Sequence, residues 1–154
     1  MRSNYFIMIK EITTIDTFLV RHPVLRAGKT IESCRFDGDN LETTKHFGYF
    51  ISEKLVGVVS IYKTSNIIST KLYQYQLRGM AILNEYQKKG FGEKLVIYCE
   101  NYAVQNQVKF IWFNARASDV KFYEKLGYSK SGKSFEIPEI GKHFLMNKLF
   151  VDKN

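Results

Sequence analysis

Six residues of this chain, Gln87-Lys88-Lys89-Gly90-Phe91-Gly92, carry the types and spacing of an anion site. They fit a Q/R-x-x-G-x-G pattern and stand between an extended segment and a helical one. The first turn of a helix leaves backbone N–H groups unpaired, and the helix dipole adds partial positive charge there. Glycines let the backbone approach a phosphate closely. Together these make a site for a phosphate or pyrophosphate. Lys88 and Lys89 oppose the dipole, a penalty that a bound polyanion would reverse. On these six residues alone an ordinary strand-to-helix turn with flexible lysines reads equally well.

Two neighbouring patterns mimic nucleotide sites and fail. Gly28-Lys29-Thr30 looks like the end of a P-loop, but that motif needs a glycine where Pro23 stands. Gly90-Phe91-Gly92 opens like a dinucleotide fingerprint, but its third glycine would fall on Leu95, where the helix must pack closest to its strand.

The elements that must position the turn follow from periodicity. Tyr73–Leu83 is a long extended segment leading into it. Phe91, Leu95, Tyr98 and Tyr102 recur at helical spacing after it, flanked by Val96, Cys99 and Ala103. Upstream, Tyr5–Ile12 predicts a first strand. Thr13 or Thr14 then caps a helix with Asp16 in its first turn and Ile15, Phe18, Leu19 and Leu25 on one face. Pro23 is expected to kink or divide that helix. Phe36–Asn40 is turn chemistry. His46–Ile51 and Leu55–Tyr62 form a hairpin around Ser52–Lys54, and Lys63–Ser69 is a polar connection. Lys109–Asn114 is another strand. Ser118 is expected to cap a short helix running through Leu126, ended by Gly127 at positive φ. Tyr128–Ile137 and His143–Phe150 are expected as closing strands. Interspersed strands and helices, with hairpins at both ends, predict an α/β or α+β domain with a mixed sheet.

Composition bounds the rest. The 154 residues are 45% hydrophobic and 25% charged, globular values for a single domain spanning residues 1–154. The net charge of +8 favours an anionic partner, or else reflects only a basic solvated surface. The lysines and arginines are scattered, and no recognition signature for nucleic acid appears, so none is expected as a partner. Cys34 and Cys99 lie far apart, with neither disulfide-framework nor metal-ligand spacing, which fits a reduced cytoplasmic setting and no metal. No stretch approaches transmembrane length, and the amino-terminal apolar run is too short for a signal peptide.

Three motifs, in order and spacing, resemble the GNAT family of acyl-CoA N-acyltransferases: Leu77-Arg78-Gly79-Met80-Ala81-Ile82, then Gln87–Gly92, then Phe122-Tyr123-Glu124-Lys125-Leu126-Gly127-Tyr128. They cover roughly the second half of the chain. Arg21-His22-Pro23-Val24-Leu25-Arg26 resembles a segment of one branch of small members more loosely. The resemblance implies a central, mixed, mostly antiparallel sheet with a splay between its two middle strands, flanked by helices. It implies acetyl-CoA as cosubstrate, without a metal, and a small or protein amine as acceptor. Met80, Ala81 and Ile82 would offer backbone to the pantetheine arm. Gln87, Lys88, Lys89, Gly90, Phe91 and Gly92 would hold the pyrophosphate. The N–H of Ala81 or Ile82 would polarise the thioester carbonyl, an electrostatic effect worth several kcal/mol. Tyr123 matches the tyrosine that protonates the leaving thiolate; its alternative role is to pack the short helix against the sheet.

The pattern also departs from the family. The position of a frequent asparagine holds Arg116, and that of an alanine holds Asp119, while Asn114 lies two residues early. Arg116 therefore replaces the asparagine as a cofactor contact or is a surface charge. Where some branches keep a carboxylate base, this chain has about Gln76. Glu85, His46 and Glu32 are the remaining candidates beside a water chain. A neutral amine attacking the thioester directly, in a ternary complex, needs no role for Cys34 or Cys99. The competing reading is a non-catalytic module that binds acyl-CoA or a partner on the same scaffold. The acceptor is expected to meet Arg21–Lys29, Phe36–Lys45 and Pro138–His143, and strand Tyr73–Leu83 is a candidate surface for a homodimer.

Overall fold

The computed structural model describes residues 6–64 and 73–150. Tyr5 of the first expected strand, and most of the expected 63–69 connection, lie outside the described residues. Among the described residues, seven strands and three α-helices run in the order β1 (Ile7–Ile12), α1 (Thr14–Leu25), β2 (Lys45–Ile51), β3 (Lys54–Thr64), β4 (Gln74–Ile82), α2 (Phe91–Gln105), β5 (Phe110–Arg116), α3 (Val120–Lys125), β6 (Ser129–Ile137) and β7 (Gly141–Leu149). The strand order is β1-β2-β3-β4-β5-β7-β6. The sheet is mixed and mostly antiparallel, with β4 and β5 parallel. β4 lies between β3 and β5 in this order.

The chain divides into two compact units, Met1–Tyr62 with Arg78–Asn101, and Lys63–Leu77 with Tyr102–Asn154. In the first unit, Val20, Val58 and Ala81 form a buried cluster against which Ile12, Val24, Leu25, Leu55 and Leu83 pack. On α2, Leu95, Val96 and Cys99 are buried, and Tyr98 meets Phe47 edge-on at 4.9 Å. In the second unit the core gathers round Phe113, whose ring lies 4.3 Å from Tyr123 and 4.9 Å from Tyr128.

Thr13 caps α1 through a reciprocal box with Asp16, which satisfies two of the orphan donors of the first turn. The helix departs from expectation at three points. It runs unbroken through Pro23 to Leu25, the missing proline N–H removing only the one helical bond to the Leu19 carbonyl. Ile15 and Leu19, expected on the core face, are 59% and 66% exposed. The inward face is instead Thr17, Phe18, Val20 and Arg21, because this helix buries a polar network as well as an apolar stripe. In the second unit, α3 is preceded by a 3₁₀ turn over Ala117–Asp119 that absorbs Ser118, and its N-cap, Asp119, makes no side-chain capping bond. Gly127 ends that segment at φ 94° as its type requires.

Candidate active site

The first unit holds the turn and its supports. β4 delivers Met80 and Ile82 half-buried and Ala81 buried. Gly57 of β3 makes room for this edge: a Cβ there would lie 2.6 Å from Ile82 Cδ1. Leu83 N–H donates to the Val56 carbonyl at 2.9 Å, so the strand is held to its end. The Gln87 side chain then reaches back and donates to the Ile82 carbonyl at 2.9 Å and to Asn84 Oδ1 at 3.1 Å. Gln87 therefore braces the loop to the strand it leaves, a role its type allows and its spacing did not reveal.

Lys88 and Gly90 both adopt left-handed backbone, at φ 62° and 84°. Alternating left-handed residues turn successive N–H groups into a concavity that suits an anion. A left-handed conformation is unfavourable for lysine, and such strain collects at ligand-binding sites. The Gly90 carbonyl accepts from Lys94 N–H at 3.2 Å, so the α2 amides before Lys94 precede the helix's own ladder. Nothing lies within 4 Å of the position a Gly90 Cβ would take, which leaves the turn open to a ligand. Phe91 faces inward and stacks on Tyr49 at 4.5 Å, fixing the start of α2 to β2. The pyrophosphate of a coenzyme fits these groups.

The second unit holds Arg116 and Tyr123. The recorded β4–β5 ladder consists of Gln74↔Phe110, Tyr75↔Ile111 and Gln76↔Trp112. β5 continues to Arg116 paired with β7, where Arg116 stands opposite His143 and is exposed. Its edge therefore loses its parallel partner after Trp112, among the described residues. Tyr123 is 7% exposed and wedged among Phe113, Phe122 and Tyr128. Burial, with the charge of Asp119 behind it, pushes its phenol well above the ordinary value of 10, so it stays protonated at neutral pH.

The candidate bases fare differently. His46 is 4% exposed, and its Nε2 donates to the Asp39 carbonyl at 2.9 Å. Its Nδ1 then accepts from Ser60 Oγ at 2.6 Å. Burial holds its pKa below the usual range, so it is neutral and structural. Glu32 is exposed and pairs with Arg35 at 3.4 Å. Glu85 is exposed on a 3₁₀ turn.

Beside the turn, the first unit contains a buried polar centre that composition and periodicity did not disclose. Arg21, wholly buried, donates to both Asp39 oxygens, to the Cys34 carbonyl at 2.8 Å, to Ser60 Oγ at 3.0 Å and to Tyr62 at 3.2 Å. Tyr62 in turn donates to Asp39. Burial and that bond to Asp39 push the Tyr62 hydroxyl up to about 12. Gly79, at φ 66°, brings β4 against this centre: a Cβ there would lie 3.0 Å from Phe36 and 3.3 Å from Arg21 Nε. The one sequence signal was Gly79 itself, a glycine inside a strand, which marks a close approach.

Residues 29–149 match the acetyltransferase (GNAT) domain family. An uncharacterized N-acetyltransferase of Bacillus subtilis strain 168, YitI, is 35% identical over 140 residues, covering 91% of this chain and 94% of that protein. An uncharacterized N-acetyltransferase of Bacillus pumilus is 27% identical over 75% of this chain and 72% of its own length. In fold, a putative N-acetyltransferase from Lactobacillus plantarum superposes with a TM-score of 0.76 at 13% identity, over 97% of this chain and all of that one. An aminoglycoside 6'-N-acetyltransferase complexed with coenzyme A superposes at 0.74 and 14% identity, over 96% and 99%. The chain therefore belongs to the GNAT family of N-acetyltransferases.

Proposed function

We propose that this protein transfers an acetyl group from acetyl-CoA to a primary amine by direct attack in a ternary complex, in the cytoplasm. The observation that carries the reading is the turn at Lys88 and Gly90. Two left-handed residues, a helix amino terminus and two lysines converge there, with open space over Gly90. Acetyl-CoA, when bound, supplies an activated acyl group and a thiolate leaving group.

The chain supplies the rest. Gln87, Lys88, Lys89, Gly90, Phe91 and Gly92 hold the pyrophosphate through backbone amides and lysine charge. Met80, Ala81 and Ile82 present strand backbone to the pantetheine arm, and an N–H of Ala81 or Ile82 stabilises charge on the acyl oxygen. Arg116 contacts the cofactor in place of an asparagine. Tyr123, protonated through the neutral range, gives its proton to the departing thiolate. The attacking amine loses its proton to a water chain.

The test is thiol release from acetyl-CoA with a panel of amines and a few longer acyl-CoAs. Turnover of at least one amine with a free primary amino group supports the reading. Tight coenzyme binding without turnover of any amine would replace it with an acyl-CoA-binding module.

A further inference from the structure

Three guanidinium groups surround the single ring of Phe36: Arg21 at 4.0 Å, Arg26 at 5.1 Å and Arg78 at 5.3 Å from its centroid. Among the described residues, one carboxylate pairs with one of them. Asp39 is buried and bound to Arg21 through both its oxygens. Among the described residues, neither Arg26 nor Arg78 has a carboxylate within ion-pair distance. Arg26 bonds the carbonyls of Leu25 and Ser33. Arg78 keeps one long bond, 3.4 Å to the Asp37 carbonyl, and otherwise lies over the rings of Phe36 and Tyr62, the latter at 5.2 Å. Like charges gathered on one partly buried ring repel one another, and an anion brought to them relieves that repulsion.

We propose that Arg78, with Arg26 adding charge, receives a carboxylate carried by the amine acceptor, so that the acceptor class is amino acids or peptides rather than simple amines or polycations. This rests on the acetyltransferase reading given above. The fork of a guanidinium matches a carboxylate through two parallel hydrogen bonds. The same unit already shows that chemistry beside the same ring, in the Arg21–Asp39 pair. Arg78 stands on the strand that offers Met80, Ala81 and Ile82, and the Phe36 loop that it touches through Asp37 is one of the segments expected to meet the acceptor. Cation–π contact with Phe36 and Tyr62 helps to keep the guanidinium in place.

The experiment compares matched pairs, each an α-amino acid and its decarboxylated amine, tyrosine with tyramine among them, with phosphoethanolamine added. Thiol release gives kcat/KM, and calorimetric titration gives affinity for the wild-type protein and for Arg78→Met and Arg78→Lys. The expected result is a preference for the carboxylated partner. Arg78→Met should shrink that preference about 10- to 100-fold, the worth of a charge-assisted hydrogen bond, mainly through KM. Arg78→Lys should restore it in part, which separates recognition from misfolding. Equal use of both partners overturns the proposal while leaving the acetyltransferase reading intact. Preferential binding of the carboxylated partners, lost in Arg78→Met but without turnover of any amine, upholds the subsite and overturns the reaction. Phosphoethanolamine binding more tightly than every amino acid assigns the site to a phosphate and overturns the proposal.

Discussion

Arg21 grips Asp39 at two points, Nη1 2.7 Å from Oδ2 and Nη2 3.2 Å from Oδ1, with both side chains sealed from solvent. The pair ties α1 to the Phe36–Asn40 loop, and the further bonds to Ser60 and Tyr62 tie both to β3. Removing one partner leaves a buried charge without its counterion. Arg21→Met is therefore expected to destabilise the protein by about 3–5 kcal/mol. Denaturant unfolding measures this, and a loss below about 1 kcal/mol would contradict the account.

The same pair fixes an acid dependence. Burial pushes the Asp39 carboxyl up, but the bonds from Arg21, Tyr62 and the Phe36 amide outweigh it and hold the pKa below 3.8. A group with a depressed folded pKa contributes stability above its unfolded value, and that stability is lost as pH falls through the folded value. The Asp39 contribution is thus expected to persist at pH 5 and to fade below about pH 4. Asp39→Asn should flatten that acid limb of the unfolding free energy.

His46 acts on a different window. Its folded pKa lies below 6.5 because burial disfavours the charged ring. The unfolded chain takes up a proton first, so stability is full above about pH 6.5 and declines as pH falls below it. Replacing His46 with Gln should remove that slope between pH 6.5 and 5, whatever it does to absolute stability.

Coenzyme affinity tests the turn. Gly90→Val meets both the left-handed backbone and the ligand space, so it mixes strain with steric block. Gly92 lies in the first turn of α2 and is not left-handed, which makes Gly92→Val the cleaner probe. It is expected to weaken CoA binding by about tenfold or more, at least ~1.4 kcal/mol, with a smaller change in unfolding free energy. Unchanged affinity in both variants would remove the anion site from this turn.

Tyr123→Phe keeps the ring that packs against Phe113 and removes only the hydroxyl. If the phenol is the proton donor, kcat should fall by about 10²-fold or more while the fold survives. Because the wild-type phenol is raised above 10, the rate should show no loss from its deprotonation below pH 10. Equal turnover of the two proteins would leave Tyr123 a packing residue.

Periodicity and turn chemistry carried most of the fold. The strand, turn and helix from Gln74 to Gln105 were legible because apolar spacing, glycines and flanking polarity agree there. α1 was legible in extent at its capped end, where Thr13 and Asp16 act locally. Its inward face was not, because Arg21 is held by partners 13 to 41 positions away in sequence, which no local pattern encodes. Ser118 misled for a related reason: the residue type suits an N-cap, but the chain spends a 3₁₀ turn before the helix begins. Apart from the glycine at position 79, the buried centre and the half-buried Arg78 beside it came from tertiary geometry.

Lys88 is held at φ 62° where a glycine would sit without strain. The unliganded protein thus keeps a conformation that opposes its own stability by roughly 1 kcal/mol, and keeps a cation there as well. Lys88→Gly should melt at a higher temperature when empty and gain less when coenzyme is added. Heat resistance and grip on the coenzyme are therefore set against each other at this one position, and selection for a tougher protein would be expected to erode it first.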